Sequence, residues 1–135
     1  MTTQMQITDD AVSVRVPAGE YFLGDPCYFF THDDWSKVLE TCDTFNSPVG
    51  RAPNGDSVLG FGTKYGDGTY RDNEGREYGV DAGMLGLIPV GAITRERGEV
   101  ERLCHRVKFA QPTLCVNFDG AMQFGRIRID TRDGE

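Results

Sequence analysis

The sequence predicts a mostly β fold of the α+β kind: a compact antiparallel curved sheet or partly open barrel of about seven or eight short strands, with one helix near residues 32–42. Three observations predict it. Apolar and polar residues alternate near both ends of the chain, the period of a strand with one buried face. A single segment carries helical periodicity. Residues 54–91 hold ten of the seventeen glycines, a density that opposes a long helix and favours short strands joined by tight turns. At 135 residues, one domain spanning 1–135 is long enough to bury its own core.

The elements follow in order. Val12, Val14 and Val16 alternate with Ser13 and Arg15, Pro17-Ala18-Gly19 supplies a turn, and Glu20 to Leu23 returns, so a hairpin is expected to open the domain. Thr31-His32-Asp33-Asp34 fits a capping box, in which hydroxyl and acid satisfy orphan amides. Trp35, Val38, Leu39 and Cys42 then recur on one helical face, and the two acids suit the positive end of the helix dipole. Residues 43–56, with Asn46-Ser47-Pro48 and Pro53-Asn54-Gly55-Asp56, read as a loop. Strands are expected at Ser57–Thr63, Glu77–Val80 and Leu85–Pro89. Leu103, His105, Val107 and Phe109 alternate with Cys104, Arg106 and Lys108, and Leu114, Val116 and Phe118 form a second alternating run. Asp119-Gly120 signals a hairpin turn, and a change of phase across Gly125 between Met122/Phe124 and Ile127/Ile129 suggests a β-bulge.

Charge narrows the function classes. The net charge is −7, with fourteen acids against six bases in residues 1–91 and seven against eight in 92–135. Such a chain repels nucleic-acid backbone, which argues against nonspecific nucleic-acid binding. Arg95, Arg97, Arg102, Arg106, Lys108, Arg126 and Arg128 are interleaved with Glu96, Glu99 and Glu101, the pattern of a solvated mixed-charge surface. No apolar run approaches the roughly 18 residues of a membrane helix, and the first residues lack the basic and apolar stretches of a signal peptide. The expectation is a cytoplasmic protein with no membrane partner. Its four cysteines, Cys27, Cys42, Cys104 and Cys115, would then be reduced thiols; with no C-x-x-C pair structural zinc is not expected, and no string matches a cofactor signature, so no metal or other cofactor is called for.

Two strings concentrate chemistry on sharply shaped backbone. In Gly24-Asp25-Pro26-Cys27-Tyr28, Pro26 biases Asp25 towards an extended conformation and so aims its carboxylate. That acid can meet a ligand, orient Cys27 as a nucleophile with His32 nearby, or cap the turn while Cys27 and Tyr28 fill the core. Tyr65-Gly66-Asp67-Gly68-Thr69-Tyr70 can form an anion-binding nest of amides or a plain hairpin turn, its tyrosines clamping a planar ligand or pairing across strands. It lacks the Gly-Lys-Ser/Thr of a phosphate loop. Val80-Asp81-Ala82-Gly83 puts an acid in an apolar setting, where it must be hydrogen-bonded or have its pKa moved; it can cap the amides of Gly83 and Met84 or act directly on a ligand. Asp72-Asn73-Glu74-Gly75 lacks the spacing of a calcium loop.

These strings, with Trp35-x-x-x-Leu39 between them, resemble a group of small uncharacterised proteins from phages and bacteria over residues 20–90. The resemblance implies a compact mostly β domain of phage-associated origin, residing in the host cytoplasm, and it brings no reaction with it.

Three readings follow. The first is a non-catalytic phage-associated binding protein that sequesters a small anionic or nucleotide-like ligand or engages a host protein. Its site would use Asp25, Asp67 and Asp81 for polar groups, Tyr28, Tyr65 and Tyr70 for stacking, and Lys64, Arg71 and Arg76 for negative charge. The second is a small hydrolase or transferase using Cys27 or the Asp25/Asp81 carboxylates; no nucleophile–base motif supports it. The third is a virion accessory or assembly protein.

Overall fold

Two kinds of strand coexist in this chain. Some alternate apolar with polar residues, and others, such as Tyr21-Phe22-Leu23 and Met84-Leu85-Gly86-Leu87-Ile88, are apolar throughout. The first kind can bury one face and the second must bury two. A computed structural model describing residues 4–7, 11–42 and 47–133 sorts them accordingly. Its strands are β1 (Gln4–Ile7), β2 (Val12–Val16), β3 (Gly19–Gly24), β4 (Val49–Arg51), β5 (Ser57–Gly62), β6 (Gly68–Arg71), β7 (Glu77–Val80), β8 (Met84–Pro89), β9 (His105–Phe109), β10 (Thr113–Phe118), β11 (Ala121–Phe124) and β12 (Ile127–Asp130). Helix α1 covers His32–Thr41 and a single turn, α2, covers Arg97–Val100.

The alternating strands form one antiparallel sheet in the order β1-β2-β10-β11-β12. The apolar strands β5, β8 and β3 form the centre of a second, β4-β5-β8-β3-β9, with short β4 and the alternating β9 at its edges, and β6-β7 make a separate ribbon. Between the sheets lies a core of Val14, Leu23, Phe61, Leu85, Phe124, Ile127 and Ile129, joined by Tyr70 and Tyr78 of the ribbon. The rings of Phe61 and Phe124 meet across the layers with centroids 5.6 Å apart. The other face of the second sheet is covered by Phe29, Phe30, Val38 and Val100, which pack on Phe22, Val58 and Ile88. This cover explains why β3, β5 and β8 carry no polar face.

The antiparallel, mostly β character and the single substantial helix agree with the sequence reading. Thr31 caps α1, accepting from the Asp34 amide while its hydroxyl donates to the Asp34 carboxylate at 2.9 Å. Other expectations need correction. The opening hairpin does not form: β2 pairs with β1 and β10, whereas β3 pairs with β8 and β9. The one-sided pattern of β2 and the two-sided pattern of β3 belong to different layers, and Pro17-Ala18 carries the chain between them. The twelve strands exceed the expected seven or eight. Short β1, β4 and β6 lack a pattern long enough to register, and β4 sits inside the stretch read as a loop, of which 43–46 lie outside the described residues. The expected bulge at Gly125 is a two-residue hairpin, with Phe124 opposite Ile127 and Gly125 at φ 63°. A reversal puts both apolar pairs on one face, which a continuous strand would need a bulge to do. Asp119 and Gly120 do form the expected turn, at φ 50° and 100°.

The phase of β10 is also unlike its pattern. Register opposite Val14 and Phe124 turns Cys115 inward, so Leu114 (44 % exposed) and Phe118 (46 % exposed) lie on the solvent face of the sheet.

Candidate functional site

The two strings singled out in the sequence meet at one end of the second sheet. Asp25, at φ −72° and ψ 120°, is the extended N-cap of a 3-10 turn over Pro26–Phe29. Proline at the first position of that turn removes an amide that would otherwise lack a partner. The Asp25 carboxylate is fully buried and accepts three backbone amides, from Cys27 at 3.0 Å, Asp81 at 2.8 Å and Ala82 at 2.7 Å. Burial pushes the Asp25 carboxyl up from the ordinary aspartate value, against the pull of those amides. Asp25 is thus a staple joining the 25–28 turn to the 81–82 loop, its acceptor capacity turned wholly inward.

The neighbouring site residues are engaged in the same way. Tyr28 donates its hydroxyl to the Asp81 carboxylate. Capping at 81–83 therefore runs opposite to expectation, since Asp25 binds the amides there and Asp81 binds a side chain. Tyr70 is 2 % exposed, with its hydroxyl on the Gly66 carbonyl at 2.9 Å and Tyr78 as cross-strand partner, whereas Tyr65 is 63 % exposed. Asp67 is exposed beside Gly83. Lys64 bridges to Asp119 at 3.0 Å, and Arg71 to Glu77 at 2.9 Å at the far end of the ribbon. Asp25, Tyr28, Asp81 and the 66–67 loop are brought together; Arg71 and Arg76 are not part of that group.

Thiol chemistry finds little support here. Burial, with Asp25 second, pushes the Cys27 thiol far up, and burial raises Cys104 and Cys115 to about 12. The thiolate is the nucleophile, so these thiols are held in their unreactive form. Among the described residues no hydrogen bond joins Cys27 to His32, and no cluster of three or more potential ligands could hold a metal.

A different group has an open face. The β6–β7 turn closes on Asp72, whose Oδ1 accepts the amides of Glu74 at 2.8 Å and Arg76 at 3.0 Å. Its Oδ2 accepts the buried Tyr78 hydroxyl at 2.7 Å. The Tyr78 oxygen lies 3.2 Å from His105 Nδ1, at the start of β9. These bonds hold Asp72 below the usual aspartate range, so it is ionised and draws the Tyr78 proton to itself. Tyr78 has one proton to give. His105 Nδ1 must therefore carry the hydrogen of the second bond, and Nε2 is left bare in the neutral ring. Burial and the nearby Arg76 charge lower the His105 pKa, which keeps the ring neutral at pH 7.

His105 lines a groove of about 430 Å³ together with Arg76, Glu101, Cys104, Arg106 and the edge of Phe22. Arg106 is committed to Glu20 at 2.7 Å and lies 3.8 Å from Glu101. Arg76 makes no ion pair among the described residues. A smaller cleft of about 220 Å³ at the opposite end of the second sheet, between Val16, Tyr21 and Leu59, carries only the acidic Asp56 and suits no anion.

In the sequence Asp72 was in view only within a rejected calcium loop and His105 only as part of an alternating strand, and Tyr78 not at all. Their meeting depends on β9 docking beside the ribbon, 27 residues on, which no local pattern encodes. No protein family, curated protein or solved structure matches the chain.

Proposed function

We propose that the protein is a non-catalytic binding protein for a small anion, held in the groove between Arg76, His105 and Arg106. The observation that carries this reading is Arg76. In a chain of net charge −7, where most cations beside the groove are answered by acids, its guanidinium has no ion pair among the described residues and lies over a concave surface. A guanidinium presents paired donors that match a carboxylate or phosphate edge. The neutral His105 adds an acceptor nitrogen, which a protonated oxygen of the anion can meet. A nucleotide-like ligand, with its phosphate on Arg76, is the specific version of this proposal. A phage-encoded role in withdrawing such a ligand from a host belongs to the same proposal and rests on the sequence resemblance alone.

Isothermal titration with inorganic phosphate and with adenosine monophosphate at about pH 6.5 tests it, near the second ionisation of a phosphate ester. Binding is expected, weakened about tenfold or more in Arg76→Ala, as for loss of a charge-assisted pair. Arg76 is exposed, so the variant should keep the parent melting temperature. Absence of binding by both probes, or full affinity in the variant, would refute the reading.

A further inference from the structure

We propose that the groove selects oxyanions that carry a proton of their own, hydrogen phosphate above sulfate, because His105 can only accept a hydrogen bond there. This rests on the reading that Arg76 holds an anion in the groove.

The selection follows from the chain Asp72–Tyr78–His105. Tyr78 donates to Asp72 at 2.7 Å and therefore receives from His105 Nδ1 at 3.2 Å. A neutral imidazole has one hydrogen, and that contact uses it. Nε2, the remaining nitrogen, keeps a bare lone pair, and the ring that carries it lines the groove. Hydrogen phosphate can place two oxygens on Arg76 and give its own proton to Nε2. Sulfate has no proton to give, so its oxygen would face the nitrogen lone pair. One partner is then left without a hydrogen bond, a loss worth tenfold or more in affinity when the pair is shielded from water.

The surroundings hold the ring in this state. From the β6–β7 turn, Asp72 and Glu74 favour the protonated ring and Arg76 opposes it. Arg126, from the β11–β12 turn, opposes it too. Glu101, Cys104 and Arg106 line the groove on the near side, with Arg106 held by Glu20 and close to Glu101. The donors to Asp72 are two backbone amides and one buried hydroxyl, none of which titrates near neutrality, so the direction of the hydrogen bonds persists over the physiological range.

The test compares inorganic phosphate with sodium sulfate by isothermal titration at about pH 7.5, where inorganic phosphate is largely the hydrogen-phosphate dianion and the ring is neutral. Phosphate is expected to bind about tenfold or more tightly than sulfate. Equal affinities would overturn the selection while leaving anion binding intact; no binding of either would remove both. In Tyr78→Phe the imidazole proton is no longer directed, so the preference should shrink to within about threefold. A folded variant that keeps the full preference overturns the proposal. If that variant does not fold, nitrogen-15 NMR of His105 in the parent protein decides: an unprotonated Nε2 in the neutral ring is required, and a protonated one refutes it.

Discussion

Asp25→Asn removes one charge and almost no volume, and separates a staple from a ligand-binding acid. In the parent, Oδ2 receives the amides of Asp81 and Ala82 and Oδ1 that of Cys27. An asparagine can keep its carbonyl on the first pair, but its NH2 then faces the Cys27 amide, donor against donor. Bonds to a charged acceptor contribute about 1.5–3 kcal/mol and neutral ones about 1, while a buried amide left unsatisfied costs about 1–3 kcal/mol. Relief of the carboxylate's own burial, visible as its raised pKa, offsets part of this. The expected loss is therefore about 3 kcal/mol. With an unfolding entropy of about 2.1 cal/mol/K for each of 135 residues, that lowers the melting temperature by about 10 °C. Calorimetry and urea unfolding read it directly. Hydrogen exchange should show protection lost first at the Asp81 and Ala82 amides. A melting temperature within about 2 °C of the parent would refute the staple and return Asp25 to the list of acids available for a ligand.

Other perturbations are as specific. A Cβ at Gly86 would sit 1.8 Å from the Leu59 carbonyl oxygen on the facing strand, so Gly86→Ala should cost more than about 3 kcal/mol, whereas Gly91→Ala, with nothing within 4 Å, should be near neutral; urea midpoints decide, and equal midpoints would sink the packing argument. Cys104, raised to about 12, should alkylate at about pH 8 roughly a thousandfold slower in the native protein than in urea, and fast native labelling would contradict its raised pKa. His105, with a folded pKa below its ordinary 6.5, contributes stability that is present above that pH and lost as pH falls through the window beneath it. Stability measured from about pH 7 to 5 without added phosphate should fall less steeply in His105→Gln than in the parent, and identical slopes would show that the ring titrates normally.

What the sequence revealed and what it hid divide along local and long-range physics. Thr31 and the Trp35/Val38 stripe mark α1 almost to the residue, because a cap and a 3.6-residue period are contained in one short segment. Asp119-Gly120 marks its turn for the same reason. The assignment of β2 and β3 to different sheets is not local: it depends on whether one or two faces find partners, and those partners lie about sixty to a hundred residues away. The phase of β10 was hidden similarly, since Cys115 faces the core through pairing with Val14 and Phe124 while Leu114 and Phe118 go outward. In the candidate sites, turn residues announced that Asp25 and Asp81 were aimed, but the sequence held no sign that Asp25 was aimed at backbone.

The two ends of β7 carry the same device with different consequences. At one end Tyr28 donates to Asp81, and at the other Tyr78 donates to Asp72. Each pair locks a loop, and in an acidic chain most carboxylates among the described residues are engaged, on amides, hydroxyls or surface cations. Counting acids therefore points to where loops are tied down. What distinguishes the second pair is a third member: the Tyr78 oxygen also contacts His105, whose ring lines one groove with an arginine that has no ion pair among the described residues. Recognition can arise there because one polar face is left over after the fold has satisfied the others. At the first pair the hydroxyl and carboxylate complete each other, and the loop they close is reason enough for both.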